Sequence, residues 1–250
     1  MTGDTPPGDP LAPKYRRVLL KLSGEAFGQG GKSGISIDKT MSLARQIQRV
    51  TARGVQLAVV VGGGNILRGS QFSAAEGVIA PATADHMGML ATVMNGLALQ
   101  DALESIGVEV RLQTAIPMQS IAEPYILRRA IRHLQKGRVV ILAAGTGNPG
   151  VTTDTAAALK ACDLDADILL KATRVDGIYS DDPEKNPHAV RYEKLTYDQV
   201  VRDNLRVMDI AAIERCRQKK LPILVFDYNR EGALDRAIAG QPIGTIVCEE

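Results

Sequence analysis

A valine-rich segment that runs straight into three glycines constrains the fold of this chain more than any other feature. Residues 57–61 form a continuous apolar run, which is typical of a strand buried on both faces. Residues 62–64 are glycines, so the backbone can turn sharply where the strand ends and can approach a ligand closely. Arg68 follows and offers a planar, permanently charged group to an oxyanion. A tight turn with a surface arginine is the alternative interpretation.

Strand and helix patterns alternate along the rest of the chain. The pattern predicts strands over 16–22, 55–61, 108–112, 138–143, 167–171, 223–226 and 245–248. It predicts helices over 38–53, 84–106, 153–162 and 231–239, two more between 196 and 220, and one that has Pro124 in its first turn and ends at Gly137. This alternation predicts an α/β fold, a three-layer αβα sandwich with a mostly parallel central sheet.

Composition limits the function classes. The 250 residues suit one domain over 14–250, preceded by a disordered proline- and glycine-rich tail over 1–13 that lacks the apolar core of a signal peptide. The net charge of +2, with both signs spread along the chain, predicts no nucleic-acid partner. No apolar run approaches the roughly 18 residues that span a bilayer. Three widely spaced cysteines predict a reducing compartment, hence the cytoplasm.

Two further glycine-rich turns follow predicted strands. Lys21, Ser23 and Gly24 end the first strand, where a lysine is well placed to bind phosphate. Residues 145–154 follow another strand and lead directly into a helix, whose first N–H groups attract anions. Taken alone, Asp154 is better explained as a carboxylate at the start of a helix. Because ligands bind at the carboxyl ends of parallel strands, three such turns together predict a phosphate-binding site.

Other polar segments have two interpretations each. Asp85, near the start of a predicted helix, is either an N-cap or a carboxylate for ribose hydroxyls. Segment 171–183, which begins with Lys171, is either a purine pocket or a polar loop. Segment 26–33 fits a relaxed P-loop pattern but neither follows its strand directly nor opens into a helix, so we interpret it as a flexible loop.

In this order, the motifs resemble the amino-acid-kinase superfamily and, within it, the bacterial uridylate (UMP) kinases. The resemblance covers about residues 14–248 and rests on KLSGE at 21–25, VVVGGGNILRG at 59–69, DHMGMLATVMNGLALQDAL at 85–103, GTGNP and TTD within 145–154, and KATRVDGIYSDDP at 171–183. It implies ATP-dependent phosphorylation of UMP to UDP in pyrimidine nucleotide (CTP) biosynthesis. It also implies a homohexamer that GTP activates and UTP inhibits.

The resemblance also implies a role for individual residues. The catalytic residues would be Lys21, Arg68 and Asp154. The ATP site would comprise Lys21, Leu22, Ser23, Gly24, Gly64, Arg68, Thr173, Tyr179 and Asp182. The UMP site would comprise Gly63, Asp85, Thr146, Gly147, Asn148, Pro149, Gly150, Val151, Thr152 and Thr153. Mg²⁺ would come with ATP and be held by phosphate oxygens and water, without a metal site of the protein.

One departure and two alternatives accompany this resemblance. Gly150 and Val151 stand where the family usually has aromatic residues, which leaves the packing behind the uracil open. The alternatives are another kinase of the superfamily, acting on small carboxylates or phosphates, and a non-catalytic nucleotide-binding protein on the same fold. In the kinase interpretation, no general base is required for UMP because the acceptor is already an anion.

Overall fold

The computed structural model describes residues 9–29, 33–67, 78–181, 185–186, 188–205 and 207–249. The strands are β1 (Arg17–Leu22), β2 (Gln56–Val61), β3 (Val110–Thr114), β4 (Glu123–Pro124), β5 (Val139–Ala143), β6 (Ile168–Thr173), β7 (Ile178–Tyr179), β8 (Arg191–Tyr192), β9 (Lys194–Thr196), β10 (Ile223–Asp227) and β11 (Thr245–Cys248). The helices are α1 (Ile37–Thr51), α2 (Pro81–Ser105), α3 (Leu127–Gln135), α4 (Thr153–Asp163), α5 (Tyr197–Arg202), α6 (Ile210–Gln218) and α7 (Ala233–Ile238), with a short 3₁₀ helix at Gly24–Phe27.

Nine strands form one central sheet in the order β4-β3-β5-β2-β1-β6-β10-β11-β9. Every neighbouring pair is parallel except β10 and β11, which run antiparallel. The strand β1 lies in the middle, between β2 on one side and β6 on the other. The sheet therefore extends from β1 in both directions. In open α/β sheets, ligands bind at the carboxyl ends of the strands next to such a central strand.

Side chains on opposite faces of the sheet enter two separate apolar cores. Val18, Leu20 and Leu22 of β1 pack with α1, α2 and α7, whereas Leu19 packs with α3, α4, α5 and α6. Because side chains alternate along a strand, Lys21 must share the face of Leu19 and point toward α4. Helices on both faces of a mostly parallel sheet confirm the predicted three-layer αβα fold.

The structure corrects the prediction around Pro124. This residue does not start a helix but belongs to the edge strand β4, and α3 begins only at Leu127. Glu123 pairs with Gln113, and the N–H of Tyr125 donates to Thr114 O at 2.9 Å. This segment therefore pairs with β3 as the edge strand of the sheet. An edge strand tolerates a proline because the missing N–H can face away from the hydrogen-bonded neighbour.

Other differences concern the ends of elements and very short strands. The helix α2 starts at Pro81, so Asp85 lies in its second turn, and the N-cap interpretation of that residue is wrong. The strand β6 continues past Lys171 to Thr173. Strands β7, β8 and β9, which have two or three residues, are too short for an apolar period to reveal.

The predicted tail falls mainly outside the described residues, which begin at residue 9. Within the tail, Asp9 forms a salt bridge of 2.9 Å with Arg53, and Pro10 O accepts from Gln241 at 3.0 Å. Within the described part of the chain, every helix is too short or too polar to cross a membrane.

Candidate active site

Two lysines from neighbouring strands meet at the carboxyl edge of the sheet. Lys21 of β1 and Lys171 of β6 are direct partners in the parallel register, so both side chains project on the same face. That face carries α4, whose second residue is Asp154. Lys21 Nζ lies 2.8 Å from Asp154 Oδ1, and Lys171 Nζ lies 2.8 Å from Asp154 Oδ2. One carboxylate thus bridges two ammonium groups, and we call these three residues the Lys–Asp–Lys cluster.

Burial and charge together set the protonation of this cluster. Lys21 is only 8% exposed. Burial alone would raise the pKa of Asp154, but the ammonium groups of Lys21 and Lys171 outweigh it and hold that pKa below its usual value. Burial lowers the pKa of Lys171, and the neighbouring Asp154 carboxylate opposes this shift. The Lys171 ammonium also donates to the carbonyl of Val207. The cluster therefore places an ionised carboxylate between two buried lysine side chains.

The glycine triplet packs against the turn that follows β1. A Cβ on Gly24 would lie 2.3 Å from Gly64 N, and one on Gly62 would lie 2.8 Å from Gly24 N. A Cβ on Gly63 would lie 2.8 Å from the carbonyl of Gly88 on α2. Packing by itself therefore requires glycine at these three positions, whatever binds there. Gly64 differs, because a Cβ there would meet nothing within 4 Å. The open space beside Gly64 belongs to a cavity.

This space, which we call the glycine cavity, has a volume of about 320 Å³. The glycine triplet, α2 and the loop before α4 form its walls, and its lining includes Gly63, Gly64, Asp85, Thr92, Gly145, Val151, Thr152 and Thr153. Five of the residues predicted to bind UMP lie in the loop after Gly145 and outside that lining, namely Thr146, Gly147, Asn148, Pro149 and Gly150. The Asp85 carboxylate accepts a hydrogen bond of 2.7 Å from Gly150 N. The loop and α2 are therefore tied together at the cavity.

Thr152 and Asp209 fix the start of α4. Thr152 is the N-cap of this helix, where its hydroxyl accepts from Thr155 N at 3.1 Å. The same hydroxyl donates to the carboxylate of Asp209, which also accepts from the Thr155 hydroxyl. Burial would raise the pKa of Asp209, but these hydroxyl hydrogen bonds hold it below its usual value. The sequence reasoning missed Asp209, because only its N-cap position ahead of α6 can be read locally.

A second cavity, of about 570 Å³, borders Lys171 of the cluster. We call it the hairpin cavity, because the β7–β8 hairpin contributes Tyr179; its lining also includes Lys171, Thr173, Val175, Leu205 and Val207. The Tyr179 hydroxyl donates to Asp176 Oδ1 at 2.7 Å, which fixes the orientation of the ring. Lys171 borders this cavity, while Thr153, the neighbour of Asp154, borders the glycine cavity. The Lys–Asp–Lys cluster thus borders the hairpin cavity through Lys171 and adjoins the glycine cavity through the chain neighbour of Asp154.

Several predicted residues contribute backbone or lie elsewhere. Leu22 is buried in the core, and its carbonyl accepts from Gly62 N at 2.8 Å. Ser23 precedes the 3₁₀ helix without a side-chain capping bond. Arg68 and Asp182 lie outside the described residues, so their predicted roles stay predictions.

The donor set around the cluster does not favour a metal held by the protein. Both oxygens of Asp154 face ammonium groups, and both oxygens of Asp209 accept from hydroxyls. Among the described residues, no group of three or more His, Cys, Asp or Glu side chains could hold a metal ion. A divalent cation that arrives with its own phosphate ligands fits this arrangement better.

Comparison with known proteins places these features in a family. The model of the amino acid kinase family matches residues 16–227. The UMP kinase of Bacillus anthracis superimposes with a TM-score of 0.91 at 39% identity, covering 94% of this chain and 97% of that one. The UMP kinase of Ureaplasma parvum gives 0.89 at 34%, covering 94% and 100%. The uridylate kinase of Archaeoglobus fulgidus gives 0.73 at 30%, covering 92% and 99%. With a family match over most of its length and relatives this similar, the chain belongs to the amino acid kinase family.

Proposed function

We propose that this protein transfers the terminal phosphoryl group of ATP to UMP and forms UDP for pyrimidine nucleotide biosynthesis. The observation that carries the proposal is the Lys–Asp–Lys cluster, in which Lys171 borders the hairpin cavity and Asp154 directly follows Thr153 of the glycine cavity. A phosphoryl group in flight between two nucleotides requires positive charge at their junction. The similarity to two UMP kinases and a uridylate kinase over more than nine-tenths of the chain supports UMP as the acceptor.

In this proposal the hairpin cavity takes the adenosine of ATP, next to Thr173 and Tyr179, and the glycine cavity takes UMP. The Asp85 carboxylate uses one oxygen for Gly150 N, which leaves the other for a ribose hydroxyl. Gly64 lets the phosphates approach the main chain, because no Cβ fills the space beside it. Arg68 is proposed as a further cation for the phosphates.

The chemistry requires alignment and charge neutralisation. A phosphate oxygen of UMP forms a bond to the γ-phosphorus, the bond from that phosphorus to the β,γ-bridging oxygen breaks, and ADP leaves with the electron pair. No proton has to be removed from the acceptor, so no general base is needed. Lys21 and Lys171 reduce the repulsion between the two anions, and Asp154 holds both ammonium groups at the junction. Mg²⁺, held by the triphosphate and water, would neutralise further charge when bound.

A panel of acceptors tests the proposal. The purified protein is assayed with MgATP and UMP, CMP, AMP, aspartate or acetylglutamate, and we expect ADP production with UMP above all others. Phosphorylation of an amino acid but not of UMP would replace the proposal by another kinase of the superfamily. Binding of ATP and UMP without ADP production would indicate a non-catalytic binding protein.

A pair of lysine variants tests the site. Lys21→Ala should lower kcat by a factor of about 100 or more, because one of the two buried cations is lost. Lys14→Ala removes an exposed lysine that precedes β1, at the opposite edge of the sheet, and should leave kcat unchanged. Equal turnover in the two variants would remove Lys21 from the mechanism.

The proposal extends to assembly, effectors and compartment. Leu90 and Met94, four residues apart on α2, are 46% and 51% exposed, and such an apolar row on a helix favours burial against a second copy. We propose a homohexamer, activated by GTP and inhibited by UTP, in the cytoplasm. Light scattering after gel filtration tests the assembly, and addition of GTP or UTP to the assay tests the effectors.

A further inference from the structure

Two polar side chains are buried on the inner face of the otherwise apolar middle of α2. Thr92 is 5% exposed and Asn95 is 0% exposed. They lie three residues apart, and Asp85 lies two turns before Thr92, so all three fall on one side of the helix. Burial of an amide and a hydroxyl is unfavourable unless both are hydrogen-bonded, so their partners indicate what these residues do.

Thr92 holds the first residue of the loop that lines the glycine cavity. Its Oγ1 accepts a hydrogen bond of 2.7 Å from Ala144 N and donates one of 2.6 Å to Met89 O. Ala144 has a φ of 61°, a left-handed conformation that a residue with a Cβ adopts only when the surroundings impose it. Gly145 follows with a φ of 56°. The Thr92 hydroxyl therefore fixes the turn from which the loop over 145–152 departs.

Asn95 holds the glycine triplet in the same way. Its amide donates to Gly62 O at 2.7 Å and to Asn65 Oδ1 at 2.7 Å. The Asn65 amide returns a bond of 3.0 Å to Asn95 Oδ1 and donates a second one of 2.9 Å to Gly34 O. Every N–H of this amide pair is satisfied, so the pair has one defined geometry. The bond to Gly62 O fixes the peptide plane whose N–H belongs to Gly63.

We propose that Thr92 and Asn95 are positioning residues, which hold the two loops of the glycine cavity at a fixed separation and thereby set the place of the acceptor phosphate. This inference rests on the proposed function. Asp85 adds a third contact from the same helix through Gly150 N. The helix α2 therefore acts as one rigid element that holds the loop before α4 at two points and the glycine triplet at a third. A small error in the separation of the two loops would misalign acceptor and donor, which costs rate steeply.

A threonine series with a matched control tests the inference. Thr92→Val keeps the shape but removes the acceptor for Ala144 N, whereas Thr92→Ser retains it. Thr51→Val removes the hydroxyl that donates to Ile47 O at 3.0 Å at the far end of α1, away from the carboxyl edge of the sheet. We expect Thr92→Val to lose about tenfold or more in kcat/KM for UMP with the KM for ATP within about twofold. Thr92→Ser and Thr51→Val should stay within about threefold of wild type.

A substrate-independent measurement separates this inference from the proposed function. Hydrogen exchange of the ligand-free protein should be faster over 144–152 in Thr92→Val, and unchanged there in Thr92→Ser and Thr51→Val. Asn95→Asp, which removes both N–H donors of the amide, should accelerate exchange over 62–65. If this variant fails to fold, the comparison of Thr92→Val with Thr92→Ser tests the inference. Wild-type turnover of UMP tests the proposed function alone. Unchanged exchange over 144–152 in Thr92→Val, or an equal loss of kcat/KM in Thr92→Ser, would overturn the inference.

Discussion

Replacing Asp154 by asparagine is the sharpest test of the Lys–Asp–Lys cluster. The substitution keeps the shape and leaves two buried ammonium groups next to each other with no carboxylate between them. Each Nζ lies 2.8 Å from an oxygen of Asp154 in the wild type. At an effective dielectric constant of about 20, two unit charges roughly 4 Å apart interact by about 4 kcal/mol. Desolvation offsets much of this gain, so loss of the shared partner should cost about 3–5 kcal/mol of unfolding free energy.

The pH dependence of this loss follows from the same charges. The pKa of Asp154 lies below its usual value, so its stabilising contribution is complete above the ordinary aspartate pKa and is lost only as the pH falls through the lowered pKa. Burial lowers the pKa of Lys171, and removal of the carboxylate must lower it further. The unpaired ammonium destabilises the variant only while it is protonated. The difference in unfolding free energy between the wild type and Asp154→Asn should therefore decrease as the pH rises from about 6 toward about 10.

Urea unfolding at fixed protein concentration, repeated across this pH range, measures this difference, and steady-state assays measure kcat. We expect kcat to fall about 100-fold or more, which corresponds to roughly 2.7 kcal/mol in the barrier. Asp198→Asn is the control, because Asp198 is 72% exposed and its pair with Arg217 should be worth under about 1 kcal/mol. If Asp154→Asn matched this control in stability and kept wild-type kcat, the reasoning from the bridged lysines would be refuted.

Three further predictions use other parts of the structure. Gly64→Ala should keep or slightly raise stability but lower kcat/KM for UMP, because the added Cβ meets only the cavity. Gly62→Ala should lose stability, because its Cβ would clash with the backbone. Thermal unfolding and steady-state kinetics distinguish the two variants. Tyr179→Phe should raise the KM for ATP several-fold with kcat nearly unchanged, because the ring loses its bond of 2.7 Å to Asp176. Burial raises the pKa of the Cys216 thiol to about 12, so a thiol reagent near pH 8 should leave it unlabelled in the native protein and label it after unfolding, as mass spectrometry would show.

The sequence predicted the parts of this molecule that local patterns encode. Apolar runs and helical periodicity predicted all seven long strands of the sheet and the αβα layers. They could do so because the apolar residues of an element that faces the core recur in the sequence with the period of that element. The glycine triplet at 62–64 predicted close backbone approach for a local reason as well, since glycine has no Cβ atom. The prediction of a helix start at Pro124 is wrong because the conformation of this residue depends on pairing with β3, which the residues next to Pro124 do not encode.

Only the tertiary structure decided which of these turns meet. Lys21 and Lys171 are 150 positions apart, and they become neighbours because β1 pairs with β6 in one particular register. A shift by one residue would send one lysine into the opposite core, and no local pattern specifies that register. Strand order and register depend on how both faces of the whole sheet are covered, which is a property of the packed chain. The sequence thus determined that glycine-rich turns follow the strands, and the packing of the sheet determined that two lysines share one aspartate.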